Sequence, residues 1–222
     1  MSSSAMFTIL DPMDAPAESE LEEKRSRFIG NCCHIRSAEE VAAFVAAMRE
    51  RHPKARHIAY AAMWGEREAI QSERMSDDGE PSGTAGKPIL DCIRQQDLID
   101  CVITVTRYFG GILLGSGGLI RAYSSAASSA VQHSSIAELT PCREYRFALT
   151  YPQLDICKRL VADHQGDFKV LEYSDHVEVQ ATIPFSRDAS FQERMIQGFN
   201  AQVVLRESGQ VNMPVTVSTR VA

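Results

Sequence analysis

The sequence predicts a mixed α/β (α+β) chain folded as two domains, and three stretches predict it. Cys101–Thr106 is an uncharged run rich in β-branched residues, bounded by Asp100 and Arg107, and it reads as a strand buried on both faces. A glycine-rich loop and a helix of small residues follow it. From Glu144 onward, hydrophobic periods of 2 and 3.6 alternate in the order β-α-β-β-α-β, the split βαβ pattern. Between these halves, a Ser-rich helix end and Thr140-Pro141 mark a boundary over residues 136–141.

Length and composition set the frame. A chain of 222 residues is long enough for two cores, and 44% hydrophobic with 23% charged residues suits a soluble globular protein. The net charge of −6 argues against nucleic-acid binding by bulk electrostatics and leaves room only for a local basic patch. Cys32, Cys33, Cys92, Cys101, Cys142 and Cys157 form no C-x-x-C pair, so reduced thiols in a cytoplasmic protein are expected. Met1–Pro16 has neither a basic start nor an apolar core, and no run approaches a membrane span, so no signal and no membrane contact are expected. Residues 1–17, with serines, acids and prolines, read as a flexible arm.

The first domain is expected over residues 18–137. Arg25–Ile35 reads as its first strand. Ser37, with Glu40 three residues on, is a capping box for a helix whose buried face is Val41, Phe44, Val45 and Met48. His52-Pro53 stops that helix. Arg56–Trp64 reads as a strand, and Glu66–Arg74 as a loop or a ragged strand end. Pro88 suits the first turn of a helix that buries Ile89, Leu90 and Ile93. After the central strand, Leu119, Tyr123, Ala126 or Ala127, and Ala130 fall on one helical face.

The second domain is expected over residues 141–210. Its strands are Glu144–Tyr151, Asp167–Tyr173, His176–Ile183 and Ala201–Glu207, and its helices Leu154–His164 and Ala189–Phe199. Val177, Val179 and Ala181 should point inward. Residues 211–222 read as a tail.

The chemistry concentrates between Ser76 and Tyr123. Gly79, Gly83, Gly86, Gly110, Gly111, Gly115, Gly117 and Gly118 are eight of the chain's thirteen glycines. Strand, glycine loop and helix start can converge free backbone N–H groups on an anion. A P-loop is excluded, because Ser116-Gly117 stand where Lys-Ser/Thr is needed after Gly110 and Gly115. A dinucleotide fingerprint fits Gly115 and Gly117 but has Ile120 in place of its third glycine. The plainer reading is that these glycines permit a tight turn and close helix packing. Asp77, Asp78 and Glu80 have oxygen ligands for a hard cation, yet Asp beside Gly is ordinary turn chemistry, and no metal is expected. No cofactor is expected, and no nucleophile with its base is evident, so catalysis is not favoured.

The letters of this stretch carry a resemblance. Ser76-Asp77-Asp78-Gly79-Glu80-Pro81, Gly83-Thr84-Ala85-Gly86-Lys87-Pro88 and Arg107-Tyr108-Phe109-Gly110-Gly111 occur in order. Leu113–Leu119 with Ala122-Tyr123 completes the set, and Lys24–Ile29 and His52–His57 match upstream. The chain from about Glu20 onward resembles the IMPACT family in its bacterial YigZ-like branch. The resemblance implies a first domain like the second domain of ribosomal protein S5. It also implies a ferredoxin-like second domain similar to the last domain of elongation factor G. A link to translation is implied too, because eukaryotic relatives restrain a kinase that senses amino-acid starvation. Those relatives carry an extra N-terminal interaction domain that no segment here matches.

Four cations stand at element ends beside the glycine loops: Arg56, Lys87, Arg107 and Arg121. With Gly115, Ser116, Gly117 and Gly118 they form the candidate phosphate or nucleic-acid site. Each alone reads more readily as a solvated or salt-bridged surface cation, with the acidic turn a ready partner. The expected function is a translation-associated binding protein that contacts RNA, the ribosome or translation factors. The alternatives are an enzyme acting on a small phosphorylated ligand or nucleotide, and a protein-binding regulator with no anion site.

Overall fold

The computed structural model describes residues 5–65 and 71–216. These fall into two compact units, one reaching to Glu138 and the other spanning Leu139–Val215. Expectations about residues 1–4, 66–70 and 217–222 lie outside the described residues.

The first unit is built on an antiparallel sheet. Its strands are β2 (Ala17–Glu23), β3 (Ser26–His34), β4 (His57–Trp64), β5 (Ser72–Ser76) and β6 (Cys101–Tyr108), in the spatial order β2-β3-β6-β4-β5. The expected central strand is central: β6 pairs with β3 and β4, and every residue from Cys101 to Arg107 is buried. Both faces are covered, which is why that strand reads as a continuous apolar run rather than an alternation. On one face, Ala59, Ala61, Cys101, Ile103 and Val105 meet two helices, α2 (Gly86–Gln95) and α3 (Ser116–Gln132). On the other, Cys33, Ile58, Ala62 and Val102 pack under α1 (Ala38–Arg51) through Val41, Phe44 and Met48.

Local chemistry sets the helix starts. Ser37 Oγ accepts the Glu40 N–H at 3.3 Å, while the Glu40 carboxylate takes the N–H of Arg36 rather than that of Ser37. Helix α2 begins two residues before Pro88, within the first turn where a missing N–H costs nothing. Helix α3 lies close on the sheet because Ala122, Ala126, Ala127 and Ala130 make up most of its buried face. A Cβ on Gly30 of β3 would come within 2.6 Å of the Ala126 carbonyl oxygen, so a glycine is required there.

Three expectations about the ends of the chain are corrected. Residues 1–17 are not a loose arm throughout: Phe7–Ile9 form β1, which pairs with Ile136–Glu138 at the start of β7 (Ile136–Leu149). Ile9 is fully buried, and Phe7 exchanges backbone hydrogen bonds with Asp97 and Ile99. The first strand of the sheet is not Arg25–Ile35, because β2 precedes it with Ala17, Ser19 and Leu21 inward and Glu18, Glu20 and Glu22 outward. Its acids obscure it as a strand, but period-2 alternation needs only one apolar face. Finally, the last strand is not Ala201–Glu207. It is β10 (Arg206–Thr216), which occupies much of the expected tail.

The second unit has the expected β-α-β-β-α-β order. It comprises β7, α4 (Leu154–Asp163), β8 (Asp167–Tyr173), β9 (Val177–Pro184), α5 (Phe185–Gly198) and β10. The sheet order β10-β7-β9-β8 is fourth, first, third, second in the unit's own count, a ferredoxin-like sheet. Its core joins Tyr145, Phe147 and Leu149 of β7 with Val177, Val179, Ala181 and Ile183 of β9. Cys157, Val161, Phe191 and Met195 of the two helices complete it. All six cysteines are free, buried thiols. Among the described residues no helix is long and apolar enough to cross a membrane.

Candidate functional site

The acidic turn between β5 and α2 is held by its own carboxylates. Asp77 Oδ1 accepts the N–H groups of Ala85 at 3.0 Å and Gly86 at 2.9 Å, and its Oδ2 accepts that of Gly83 at 2.8 Å. Burial alone would raise its pKa, but the N–H groups of Gly83, Gly86 and Ala85 outweigh it and hold the carboxyl below its ordinary value. Asp77 thus fills the N-terminal end of α2 with the chain's own anion. Asp78, at φ 48°, accepts the Ile58 N–H at 2.6 Å and pairs with Arg49. Its carbonyl accepts from His57 Nδ1 at 2.8 Å, and the His57 ring sits against Gly79 at φ 84°. The Thr84 hydroxyl donates to the Pro81 carbonyl at 2.6 Å.

Glu80 goes inward. Its Oε1 accepts from Arg107 Nη1 at 2.7 Å and from the Tyr123 hydroxyl at 2.8 Å. Burial, and then the charge of Glu80, push the Tyr123 pKa well up, so this hydroxyl stays a donor. The Arg107 guanidinium carbon lies 5.5 Å from the ring centres of both Phe28 and Phe109. The three acids of the turn are therefore engaged by the chain's own N–H groups and cations. Among the described residues no group of three or more His, Cys, Asp or Glu side chains could hold a metal.

The expected site residues divide. Arg107 is not a free cation: it is 6% exposed and its charge is met by Glu80. Lys87 is exposed but pairs with Asp91 at 3.0 Å, one helical turn on. Arg56 and Arg121 are exposed, with no ion pair among the described residues. The loop after β6 is open. Gly115, at φ 71°, caps α3 with no side-chain hydrogen bond. The N–H groups of Ser116, Gly117 and Gly118 begin the helix ahead of its first backbone bond, Leu119 N–H to Gly115 O at 2.9 Å. A Cβ on Gly117 would meet nothing within 4 Å, whereas one on Gly118 would press on Leu114 at 2.9 Å. Gly111 is also at positive φ, 84°.

Strand register brings distant segments to this end of the sheet. Arg107 of β6 pairs with His57 at the start of β4, and Tyr108 with Arg27 at the start of β3. The Arg27 guanidinium lies 4.8 Å from the Tyr108 ring centre, and the Tyr108 hydroxyl meets His52 Nδ1 at 3.1 Å. Arg56, the acidic turn, the Phe109–Gly115 loop and the Lys24-Arg25 turn of the β2–β3 hairpin thus share one end. Two features there were missed from sequence. Lys24 and Arg25 are exposed cations, legible in the sequence only as a family-matching segment and a strand start. Phe109, Ile112 and Leu113 expose an apolar loop tip, with Leu113 84% exposed; three apolar residues among glycines were the available signal.

Fold and site define a class: a two-domain α/β protein whose first domain displays a glycine-rich face and whose second is ferredoxin-like. Residues 24–131 match the Impact N-terminal domain. The chain is similar to the IMPACT family member YigZ of Escherichia coli (strain K12), 35% identical over 82% of this chain and 89% of that one. It is similar also to the IMPACT family member YvyE of Bacillus subtilis (strain 168), 34% identical over 86% and 87%. Among solved structures, the crystal structure of a hypothetical protein is 31% identical, with a TM-score of 0.64 over 93% of this chain and 98% of that one. The chain belongs to the IMPACT family.

Proposed function

We propose that this protein is a translation-associated binding protein that contacts RNA through the glycine-rich end of its first domain. One observation carries the reading. The N-terminal end of α3, capped by Gly115, has no side-chain cap and is sterically open at Gly117, while the comparable end of α2 is already filled by Asp77. Unpaired N–H groups and the helix dipole favour an anion there. The exposed Arg56 and Arg121 add charge, and Lys87 adds more once it leaves Asp91. Arg107 supports the face from within by anchoring the acidic turn. The link to translation follows from the family resemblance, and RNA is the phosphate-bearing partner that both considerations share.

The test is RNA binding as a function of salt, together with sedimentation of the protein with ribosomes. Phosphate contacts make affinity fall steeply as salt rises. Gly117→Val fills the open space at the helix start, and Arg56→Gln with Arg121→Gln removes charge from exposed positions. Each should weaken RNA binding, and the Gln pair should also flatten the salt dependence. Absence of RNA binding by the parent overturns the reading. Turnover of ATP or a phosphoester would replace it with the enzyme alternative.

A further inference from the structure

The β2–β3 hairpin closes on just two residues, Lys24 and Arg25, because Glu23 pairs with Ser26 across it. Both have left-handed backbones, at φ 47° and 64°. Two consecutive positive φ angles make a type I′ turn, whose twist suits the strands but whose favoured occupants are Asn-Gly or Gly-Gly. A residue with a Cβ is strained in this region. Stability alone would not place Lys-Arg here.

The two side chains are not used in packing. Both residues are exposed and neither has an ion pair among the described residues. The turn itself is nonetheless fixed. Gly110 lies so close that a Cβ on it would fall 2.0 Å from the Arg25 carbonyl, and its N–H donates to Ser26 Oγ at 3.1 Å. The turn therefore abuts the root of the Phe109–Gly115 loop. Arg27, with Glu20 at 3.7 Å, and Arg56 stand at the same end of the sheet by register.

We propose that the Lys24-Arg25 turn is a phosphate-contacting element for single-stranded RNA, its strained backbone holding two cations against the glycine loop. This rests on the RNA-binding reading above. The single-stranded form is favoured by the neighbouring loop tip. Phe109, Ile112 and Leu113 are exposed, uncharged and apolar. They match unstacked bases and offer nothing to the phosphate exterior of a duplex.

The experiment compares the parent with K24N/R25G and K24Q/R25Q, using a short fluorescein-labelled single-stranded RNA across a salt series and thermal melts. K24N/R25G installs the preferred turn, so Tm should rise by about 2–4 °C. Its affinity should drop about tenfold at low salt, and the logarithmic salt slope should shrink by about 1.4 for two lost contacts to a single strand. K24Q/R25Q keeps the strain and removes the charge, so it should bind as weakly with Tm unchanged. If the parent binds no RNA, the broader reading fails and this inference fails with it. Parent binding with unchanged affinity and slope in both variants leaves that reading standing and overturns the role of the turn. Weaker binding by K24N/R25G with a lower Tm also overturns it, since damage to the fold would explain the loss. Equal effects on duplex RNA overturn the single-stranded assignment.

Discussion

Arg107 and Glu80 face each other at 2.7 Å with side chains only 7% and 3% exposed. With the Tyr123 hydroxyl on the same carboxylate oxygen, this pair ties the acidic turn, the central strand β6 and helix α3 into one block. A buried ion pair is weak evidence of net stabilisation, but removing one partner strands the other charge in a low-dielectric interior.

Glu80→Gln should therefore destabilise the protein by about 3–5 kcal/mol. Tyr123→Phe removes one hydrogen bond and leaves the ion pair, and should cost about 1–2 kcal/mol. Urea denaturation with constant m-value measures both. A Glu80→Gln variant as stable as the parent would show that Arg107 finds other compensation.

Asp77→Asn keeps one acceptor oxygen where the carboxylate serves three N–H groups, so about 2 kcal/mol should be lost at neutral pH. The folded-state pKa of Asp77 is held below its ordinary value. Its stabilisation is thus complete above the ordinary carboxyl range and is lost as pH falls through the folded value. The Asn variant should show a shallower acid limb in a stability–pH series. An identical acid limb would mean that Asp77 does not carry that dependence.

Gly110 and Gly117 should respond oppositely to alanine. At Gly110 the new Cβ would collide with the Arg25 backbone at 2.0 Å, which cannot give way as a flexible side chain can. A loss of about 3 kcal/mol is expected. At Gly117 the Cβ meets nothing within 4 Å and φ is not in the left-handed range. Gly117→Ala should leave Tm unchanged or raise it slightly through helix propensity. Equal destabilisation at both sites would contradict the geometry.

The second unit should fold alone. Its twelve-member core lies entirely within Tyr145–Phe199, and its four strands and two helices form a complete ferredoxin-like unit. Residues 139–215 expressed in isolation should give a cooperative thermal transition, followed by circular dichroism. A coil spectrum would mean that the unit depends on the rest of the chain.

By itself the sequence determined the class of fold, because the signals were local and periodic. The uncharged run at Cys101–Thr106 and the alternation Val177, Val179, Ala181 each report burial through neighbours a few residues away, and Ser37 reports a helix start as its N-cap, the reciprocal half of the box being absent. It also pointed to the glycine-rich stretch, since glycine density is visible without coordinates. Strands with short or acidic letters were not legible: Phe7–Ile9 is stabilised by pairing with Ile136–Glu138, more than a hundred residues on. The fate of each charge was likewise decided only by tertiary structure. Arg107 and Arg121 look alike as letters at element ends, yet one is buried against Glu80 and the other faces solvent. Ion pairing depends on which strands become neighbours, and register is a property of the folded sheet. Lys24 and Arg25 read as a family-matching segment and the start of a strand, and only the folded hairpin, with Gly110 against it, makes them an exposed two-residue turn.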